Sequence, residues 1–272
     1  MPAINTNVAA LFAQQSLRVN ERNQSNAMRQ LSTGSRINTA GDDAAGMAIG
    51  QSMTSQVRGL NQSVRNLNDG INMMQTAEGA LGETSNMLQR MRELATQSAN
   101  GTYSVSQRDY LQTEFAALSS QIEKISQDTK WNDQSLLSSQ TTFTFQAGIA
   151  SGQTVGVTVS GMGLTLLGVA GTAASIGSST NAISSLTLLD TAIGFVNSQR
   201  AKIGAGINQM TYAVDNLSNV AANTAASRSS IMDTDYATAS TQLSKTQIIQ
   251  QAATAMLAQA NQQPQSVLAL LK

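Results

Sequence analysis

Apolar residues spaced alternately by four and three positions run from residue 53 to residue 95. This spacing is the heptad pattern of a coiled-coil helix. At 1.5 Å per residue the helix would be about 65 Å long, which is longer than a compact domain of this size allows. We therefore predict a rod whose apolar stripe is covered by partner helices. The alternative, a core helix of a globular bundle, seldom exceeds about 25 residues. The seam comprises Met53, Val57, Leu60, Val64, Leu67, Ile71, Met74, Leu81, Leu88, Met91 and Ala95, with interruptions at Glu78 and Ser85.

Two later segments repeat this spacing. The first is expected to begin at about Ser106, which would cap it, after a helix stop at Asn100-Gly101, a pair that tolerates the left-handed conformation. The second begins at Ile183, and its one gap, Arg200, is expected to reach solvent. A short connection between seamed helices makes them antiparallel neighbours. The seam residues are Leu111, Phe115, Leu118, Ile122 and Ile125, then Leu186, Leu189, Ile193, Val196, Ile203, Ile207, Met210, Val214, Leu217 and Ala221.

Weaker helices are predicted at the two ends of the chain, over residues 6–31 and 238–263. Each has a thin apolar stripe and is marginal alone, so we expect the two to pair. Asp42 and Asp43 are expected to supply the N-cap and first-turn acids of the long helix, and Pro264 to end or bend the last one. The stripes are Val8, Leu11, Leu17, Met28 and Leu31, then Leu243, Ile249, Ala253, Met256 and Ala260, followed by an apolar tail over residues 267–271.

Between the rods the period changes to two. Phe143 and Phe145 alternate with polar residues, as do Val155, Val157 and Val159, and the glycines of residues 148–152 lie between them, which predicts a β-hairpin. The surroundings of Trp131 are interpreted as loop, and the Gly-, Ala- and Ser-rich residues 161–180 as a loop or excursion at the tip of the rod.

The predicted fold is mainly α, an elongated antiparallel coiled-coil helical bundle with a small β-hairpin region and a terminal two-helix coiled coil. Three parts are expected: residues 1–40 and 236–272 form the paired terminal helices, residues 41–140 and 181–235 the long-helix rod, and residues 141–180 the hairpin with a residual variable region.

Composition favours association between copies. Charged residues are 12% of the chain and the formal net charge is zero, against about 25% charged in an average soluble domain. A near-neutral subunit repels its copies little, and almost uncharged end helices would expose too much apolar surface in a monomer. Repeated packing through one heterologous contact gives a helical filament, in which we expect the end helices to become ordered.

Catalysis and cofactor binding find little support. Cysteine and histidine are both absent, which excludes the usual zinc sites and Cys or His nucleophiles and bases. The acids near residues 41–46 and at Asp233 and Asp235 are interpreted as turn and helix caps, with a metal or phosphate site as the alternative. We expect no enzyme activity, no cofactor, no nucleic-acid partner and no membrane insertion. The N-terminus lacks a cleavable signal pattern, so the chain either stays inside the cell or leaves by a route that reads an uncleaved end.

Several motifs, in order, resemble bacterial flagellin at both ends of the chain. The matching segments include residues 3–7, 31–38, 42–46, 58–60, 68–71, 75–81, 88–94, 235–237, 251–252, 257–262 and 264–268, and the resemblance covers about residues 1–140 and 185–272. It implies a short-form flagellin with a minimal variable region, a subunit of the extracellular flagellar filament used for motility, and paired termini in the filament core. The runner-up is a junction or secreted binding protein that does not polymerise.

The same resemblance implies partners. These are other copies of the chain, the flagellar export apparatus, hook-associated and cap proteins at the assembling tip, and an export chaperone on the C-terminal helix. The export apparatus would secrete the chain without cleaving a signal peptide. The residues implied in the filament core and chaperone contacts are Leu243, Ile249, Met256, Leu257, Val267, Leu268, Leu270 and Leu271.

Flagellins of one broad group are also ligands of a Toll-like innate receptor. Arg90, Leu94 and Glu114 stand at the positions that match its main contacts, and an exposed Arg on apolar surface is typical of a hot spot. Leu94 could equally be rod surface that packs on the next subunit. The full implied set is Gln89, Arg90, Glu93, Leu94, Gln97 and Glu114.

Overall fold

The computed structural model describes residues 6–169 and 174–270, except the side chains of residues 263–270. The chain divides into two compact units, Met1–Val57 with Ala222–Lys272, and Arg58–Ala221. The helices are α1 Val8–Thr33, α2 Ala44–Ala99, α3 Val105–Asp128, α4 Leu164–Leu167, α5 Ser179–Met232 and α6 Tyr236–Leu270, and the strands are β1 Lys130–Trp131, β2 Gln134–Ser135, β3 Thr141–Gln146 and β4 Thr154–Val159.

The mainly helical fold with long helices is confirmed. Within the second unit α2 and α5 run antiparallel, since Arg92 pairs with Asp190 at 2.6 Å and Arg200 pairs with Glu78 at 2.7 Å. Arg200 was expected to reach solvent, and Glu78 appeared as a break in the seam. The structure joins these two residues across the helices, and each side chain remains 40% exposed. The three-part division into terminal helices, rod and variable region stays a prediction.

The buried seam of α2 differs from the predicted one at every second position between residues 63 and 84, whereas Met91 and Ala95 are buried as predicted. Leu67, Met74, Leu81 and Leu88 are buried as expected. The positions between them are filled by small residues, whereas the bulky Val64 and Ile71 are only half-buried at the flanks. The seam therefore passes through Glu78's neighbour Ala77 without interruption. Its members are Leu60, Ser63, Leu67, Gly70, Met74, Ala77, Leu81, Thr84, Leu88, Met91, Ala95 and Ser98.

Helix α5 shows the same displacement. Leu189, Val196 and Ile203 are buried, but the intervening places belong to small or polar residues, and the bulky Ile193 and Ile207 are half-buried. Ile183, predicted to open this seam, is exposed. The observed seam is Ala182, Ser185, Leu189, Ala192, Val196, Gln199, Ile203, Gly206 and Met210, followed by the predicted Leu217 and Ala221.

The displaced seams make room for the predicted hairpin, which is confirmed. Strands β3 and β4 pair antiparallel, with Phe143 opposite Val157 and Phe145 opposite Val155. A Cβ on Gly70 would lie 2.8 Å from the Phe145 ring, and a Cβ on Gly206 would lie 2.6 Å from Val157 Cγ2. Only glycine lets these helix backbones approach the hairpin so closely.

The interpretation of the Trp131 region as loop is wrong. Lys130–Trp131 and Gln134–Ser135 form a second, very short hairpin. Its two turn residues, Asn132 and Asp133, have φ values of 47° and 63°. Two positive φ angles in a two-residue hairpin loop are typical of a type I′ turn, and Asn and Asp tolerate them better than other residues with side chains.

Most of the described residues between 161 and 178 are irregular, as predicted, but several of them are packed rather than loose. Met162, Leu167 and Ile176 are buried, and the Ile176 N–H donates to Gln112 Oε1 on α3 at 2.6 Å. The absence of periodicity therefore marks irregular backbone but says nothing about burial.

Several predicted helix ends are corrected. Helix α3 is capped by Ser104, two residues before the expected Ser106, in a capping box with Gln107. Helix α2 ends at Ala99, directly before the predicted stop at Asn100-Gly101, although neither of these two residues has a positive φ. Helix α6 continues through Pro264, so the proline does not end the helix, and the alternative of a bend at this residue stays a prediction.

At the start of α2, Asp43 is the N-cap and Asp42 is not a first-turn acid. Asp43 Oδ1 accepts from the Gly46 N–H at 2.8 Å. Asp42 Oδ2 instead closes the preceding turn by accepting from the N–H groups of Asn38 and Thr39.

Candidate functional site

The paired terminal helices of the first unit form the first candidate surface. Asn7 Nδ2 donates to the Ala260 carbonyl at 2.8 Å, and Asn20 Nδ2 donates to the Thr246 carbonyl at 2.7 Å. Since residue numbers rise along α1 as they fall along α6, the two helices are antiparallel. Side chains reach backbone carbonyls across this interface because it is lined by small residues, among them the buried Ala27 and Ala239.

Most of the large apolar side chains of α1 and α6 lie outside that interface. Val8, Leu11 and Met28, which the sequence analysis placed on the α1 stripe, are exposed, whereas Leu17 and Leu31 are half-buried. Phe12 is 72% exposed and Met256 is 67% exposed. Pairing of the two helices therefore leaves apolar surface in water, and the exposed set is Val8, Leu11, Phe12, Val19 and Met28 on α1, with Ile248, Ile249 and Met256 on α6.

The predicted core and chaperone residues fall into three groups. Leu243 and Leu257 are half-buried on α6 at positions that repeat with the interface residues Ala239 and Thr246. Ile249 and Met256 are exposed. The side chains of Val267, Leu268 and Leu270, and the whole of Leu271, lie outside the described residues.

A short antiparallel junction joins the helix pairs of this unit. Ser35 and Asp233 form an isolated β-bridge, and the Arg36 guanidinium donates to the Ile231 carbonyl at 2.7 Å. Gly34 has a φ of 70° and closes α1, and the hydroxyl of Tyr236 lies against it. A side chain at residue 34 would meet both a left-handed backbone and this hydroxyl.

Two acids of this unit serve local backbone structure, Asp235 as a helix cap and Asp42 in a turn. The Thr238 hydroxyl, followed by the backbone N–H groups of Ala237 and Thr238, lowers the pKa of Asp235 at the start of α6. Backbone N–H donation from Thr39 and Asn38 lowers the pKa of Asp42. Within the described part of the chain, no three acidic residues come close enough to hold a metal ion.

The second candidate surface lies on α2 and α3 in the second unit. Arg90 bridges two carboxylates at 2.9 Å, Glu114 on α3 and Glu93 on its own helix. These hydrogen bonds, with Glu114 first, raise the pKa of Arg90. All three side chains are about half exposed or more. The pair therefore holds a planar guanidinium at the surface in a fixed orientation.

Leu94 does not lie on this surface. Its exposed fraction is 1%, and it belongs to the apolar core of its own unit. Both sequence interpretations placed Leu94 at the rod surface, and that placement is wrong. The side chain faces inward because residues 91, 94, 95 and 98 lie on the buried face of α2.

A shallow groove of about 630 Å³ lies beside Arg90. Three of the residues implied by the resemblance, Gln89, Glu93 and Gln97, contribute to its lining. Gln97 Nε2 donates to the Tyr103 hydroxyl at 2.9 Å across its end. Arg90, Glu114 and these three residues are thus brought together, and Leu94 lies beneath them. The remaining lining residues are Arg92, Thr96, Asn100 and Tyr103.

None of the described helices combines the length and the hydropathy that a bilayer crossing requires.

Two models of known protein families match the N-terminal and C-terminal parts of the chain. The model of the bacterial flagellin N-terminal helical region matches residues 4–142, and that of the C-terminal helical region matches residues 186–271. A flagellin of Halalkalibacterium halodurans is 42% identical over 270 residues, covering 99% of each chain. A flagellar filament 33 kDa core protein of Treponema phagedenis is 39% identical over 284 residues, again covering 99% of each.

Solved structures agree. A flagellin crystal structure from Bacillus cereus aligns with a TM-score of 0.51 and 34% identity over 56% of this chain and 88% of that one. A putative flagellar hook-associated protein from Vibrio parahaemolyticus aligns with a TM-score of 0.59 over 71% of this chain and all of that one, but at 15% identity it shares the fold alone. On the family models and the near full-length relatives together, the chain belongs to the bacterial flagellin family.

Proposed function

We propose that this chain is the structural subunit of an extracellular bacterial flagellar filament and polymerises through its terminal helices. The observation that carries the proposal is the set of apolar side chains that α1 and α6 leave exposed while paired. Covering one such side chain stabilises an assembly by roughly 1.5–3 kcal/mol. Other copies of the chain are the occupant that fits, because a formal net charge of zero imposes little repulsion between them.

The geometry of association follows from the surfaces involved. The exposed residues of α1 and those of α6 differ in sequence and shape, so one copy's α1 surface packs on a different surface of the next copy. Such a heterologous contact repeats without closing and builds a helical filament. Buried amides such as Asn20, which bonds the α6 backbone, fix the register of the helix pair inside each subunit.

Export and tip assembly belong to the same proposal. The chain leaves through the flagellar export apparatus and adds at the distal end, near the hook-associated and cap proteins. A cytoplasmic chaperone covers α6 before export, since Ile249 and Met256 are exposed there and would otherwise promote premature association.

A receptor role for the free monomer is a separate proposal. Arg90, Glu93 and Glu114 present an ordered charged cluster beside the groove lined by Gln89 and Gln97. A Toll-like receptor would contact these polar groups. Leu94 would act only by supporting α2 from within. In this reading, substitution of Leu94 affects receptor binding through the fold.

The polymerisation proposal is tested by seeded filament growth of purified protein at neutral pH, followed by electron microscopy. The variants Phe12→Gln and Met256→Gln each remove exposed apolar surface, and each is expected to raise the critical concentration about tenfold. Ile183→Gln makes the same type of change at an exposed residue outside the terminal helices and serves as the control. Absence of filaments from the wild-type chain would favour a junction or binding protein. Unchanged critical concentrations in both terminal variants would remove α1 and α6 from the interface.

A further inference from the structure

The connector between α2 and α3 contains an asparagine that is chemically poised for conversion. Asn100-Gly101 is the only Asn-Gly pair among the 272 residues. It follows the last residue of α2, Ala99, and precedes the N-cap of α3, Ser104. Both residues are exposed to solvent. We propose that Asn100 is a spontaneous deamidation site, at which the Gly101 backbone nitrogen attacks the asparagine side chain and leaves a carboxylate in its place.

The nucleophile is unhindered. Glycine carries no Cβ to block the approach of its nitrogen to the preceding side chain. A Cβ built on Gly101 would meet nothing within 4 Å, so the surrounding space is open. Among the described residues the Gly101 N–H has no hydrogen-bond partner, and no helical hydrogen bond has to break before it reacts.

The electrophile is held and polarised. The Thr102 N–H donates to Asn100 Oδ1 at 3.3 Å, which folds the side chain over the backbone that follows it. The same donor would stabilise the negative charge that develops on Oδ1 when Cγ becomes tetrahedral. Arg108 fixes the flanks of the connector through the carbonyls of Ser98 and Asn100, at 3.0 and 3.1 Å.

The reaction balances as a hydrolysis. The Gly101 nitrogen loses its proton to solvent and bonds to Asn100 Cγ, the Cγ–Nδ2 bond breaks, and ammonia leaves. Water then opens the resulting five-membered succinimide at either carbonyl, giving an aspartate or an isoaspartate at position 100. The net change consumes one water and releases one ammonia, and no oxidant or further reactant takes part.

The product changes a surface that the fold keeps ordered. Asn100 lines the groove with Arg92, Glu93 and Gln97, so a new carboxylate would stand among these groups. The formal net charge of the subunit would move from zero to minus one. In the isoaspartate the main chain gains one methylene, which displaces the carbonyl that Arg108 holds.

Helical asparagines of the same chain provide internal controls. Asn197-Ser198 is exposed like Asn100 but lies inside α5, where the Ser198 N–H belongs to the helical ladder. Attack at Asn197 would first require local unfolding of the helix. The proposal therefore predicts conversion at Asn100 and not at Asn197 while the protein is folded.

The test is timed incubation of the purified full-length chain at mildly alkaline pH, with peptide mass spectrometry and enzymatic isoaspartate labelling. We expect Asn100 to convert with first-order kinetics towards one carboxylate per chain, while Asn197 stays unreacted. Isoelectric focusing should show the matching acidic shift. The variant Gly101→Ala, which fits because φ at residue 101 is not positive and its space is open, is expected to suppress conversion to the level of Asn197. Circular dichroism confirms that this variant is folded. Equal conversion rates at Asn100 and Asn197, or in the wild type and Gly101→Ala, would overturn the proposal.

Discussion

Gly206 on α5 decides how closely the hairpin can approach the helix, and its replacement by alanine tests the displaced seam. Alanine stabilises a helix interior by about 1 kcal/mol relative to glycine. Opposing this gain, the new Cβ would lie 2.6 Å from Val157 Cγ2 and 3.1 Å from Cγ1. Val157 is buried in β4 and is stiff at χ1. Relieving such overpacking costs about 1–3 kcal/mol, so Gly206→Ala should be neutral to destabilising by about 2 kcal/mol.

The matched control is Gly194→Ala on the same helix. Gly194 is exposed, and a Cβ there would meet nothing within 4 Å. Only the helix gain remains, so this variant should be more stable by about 1 kcal/mol, a rise of about 2–4 °C in Tm for a unit of this size. Urea and thermal unfolding of the unassembled chain measure both. Should Gly206→Ala stabilise as much as Gly194→Ala, the close contact between β4 and α5 would be refuted.

Three further predictions follow from single contacts. Leu94→Ala should lower the free energy of unfolding by about 2–5 kcal/mol, as for other buried leucines, whereas Arg90→Ala should change it little. Equal effects of the two substitutions in urea denaturation would contradict the burial of Leu94. The pKa of Asp235 in the folded chain is lowered from 3.8. The stability that this carboxylate contributes is therefore complete above pH 3.8 and is lost as the pH falls through the lower folded pKa. The variant Asp235→Asn, which keeps a cap, should flatten the acid dependence of the urea midpoint. A double-mutant cycle on Arg200 and Glu78, whose side chains are each 40% exposed, should give a coupling of no more than about 1 kcal/mol; a coupling several times larger would mean that the pair is desolvated.

The heptad period predicted the long helices and the period of two predicted the hairpin, but neither predicted the exact buried face of the helices. Leu67 and Leu189 were assigned correctly because they are large apolar residues that belong to both the predicted and the observed seams. The seam positions between the buried leucines were harder to assign. Gly70 and Ile71 are adjacent in the sequence, and hydrophobicity alone favours burial of the isoleucine. Gly70 is buried because Phe145, distant in sequence, packs against it. A rule based on side-chain size within one helix cannot predict that contact between distant parts of the chain.

The heptad pattern likewise did not predict the Glu78–Arg200 ion pair or the Ser104 cap. Glu78 and Arg200 each interrupted a seam, and two interruptions at matching depth on antiparallel helices were the signal that could have paired them. Ser104 and Ser106 are equally good caps by residue type, and Gln107, three residues after Ser104, was the signal that distinguished them.

The candidate surfaces were predicted unevenly. Met256 and Ile249 were identified as apolar residues of α6, and both are exposed. Phe12, the most exposed apolar residue of α1, was missed because it lies beside the stripe. Leu94 was misplaced because the resemblance supplies a position along the chain and not the direction in which a side chain points.

The claim that the terminal helices are stabilised mainly by neighbouring copies is tested most directly by amide hydrogen exchange, measured on the free chain and on filaments. Residues 8–33 and 236–262 should exchange rapidly in dilute monomer and slowly in the filament, while the α2 and α5 segments of the second unit stay protected in both states. Equal protection of the terminal helices in monomer and filament would contradict the claim.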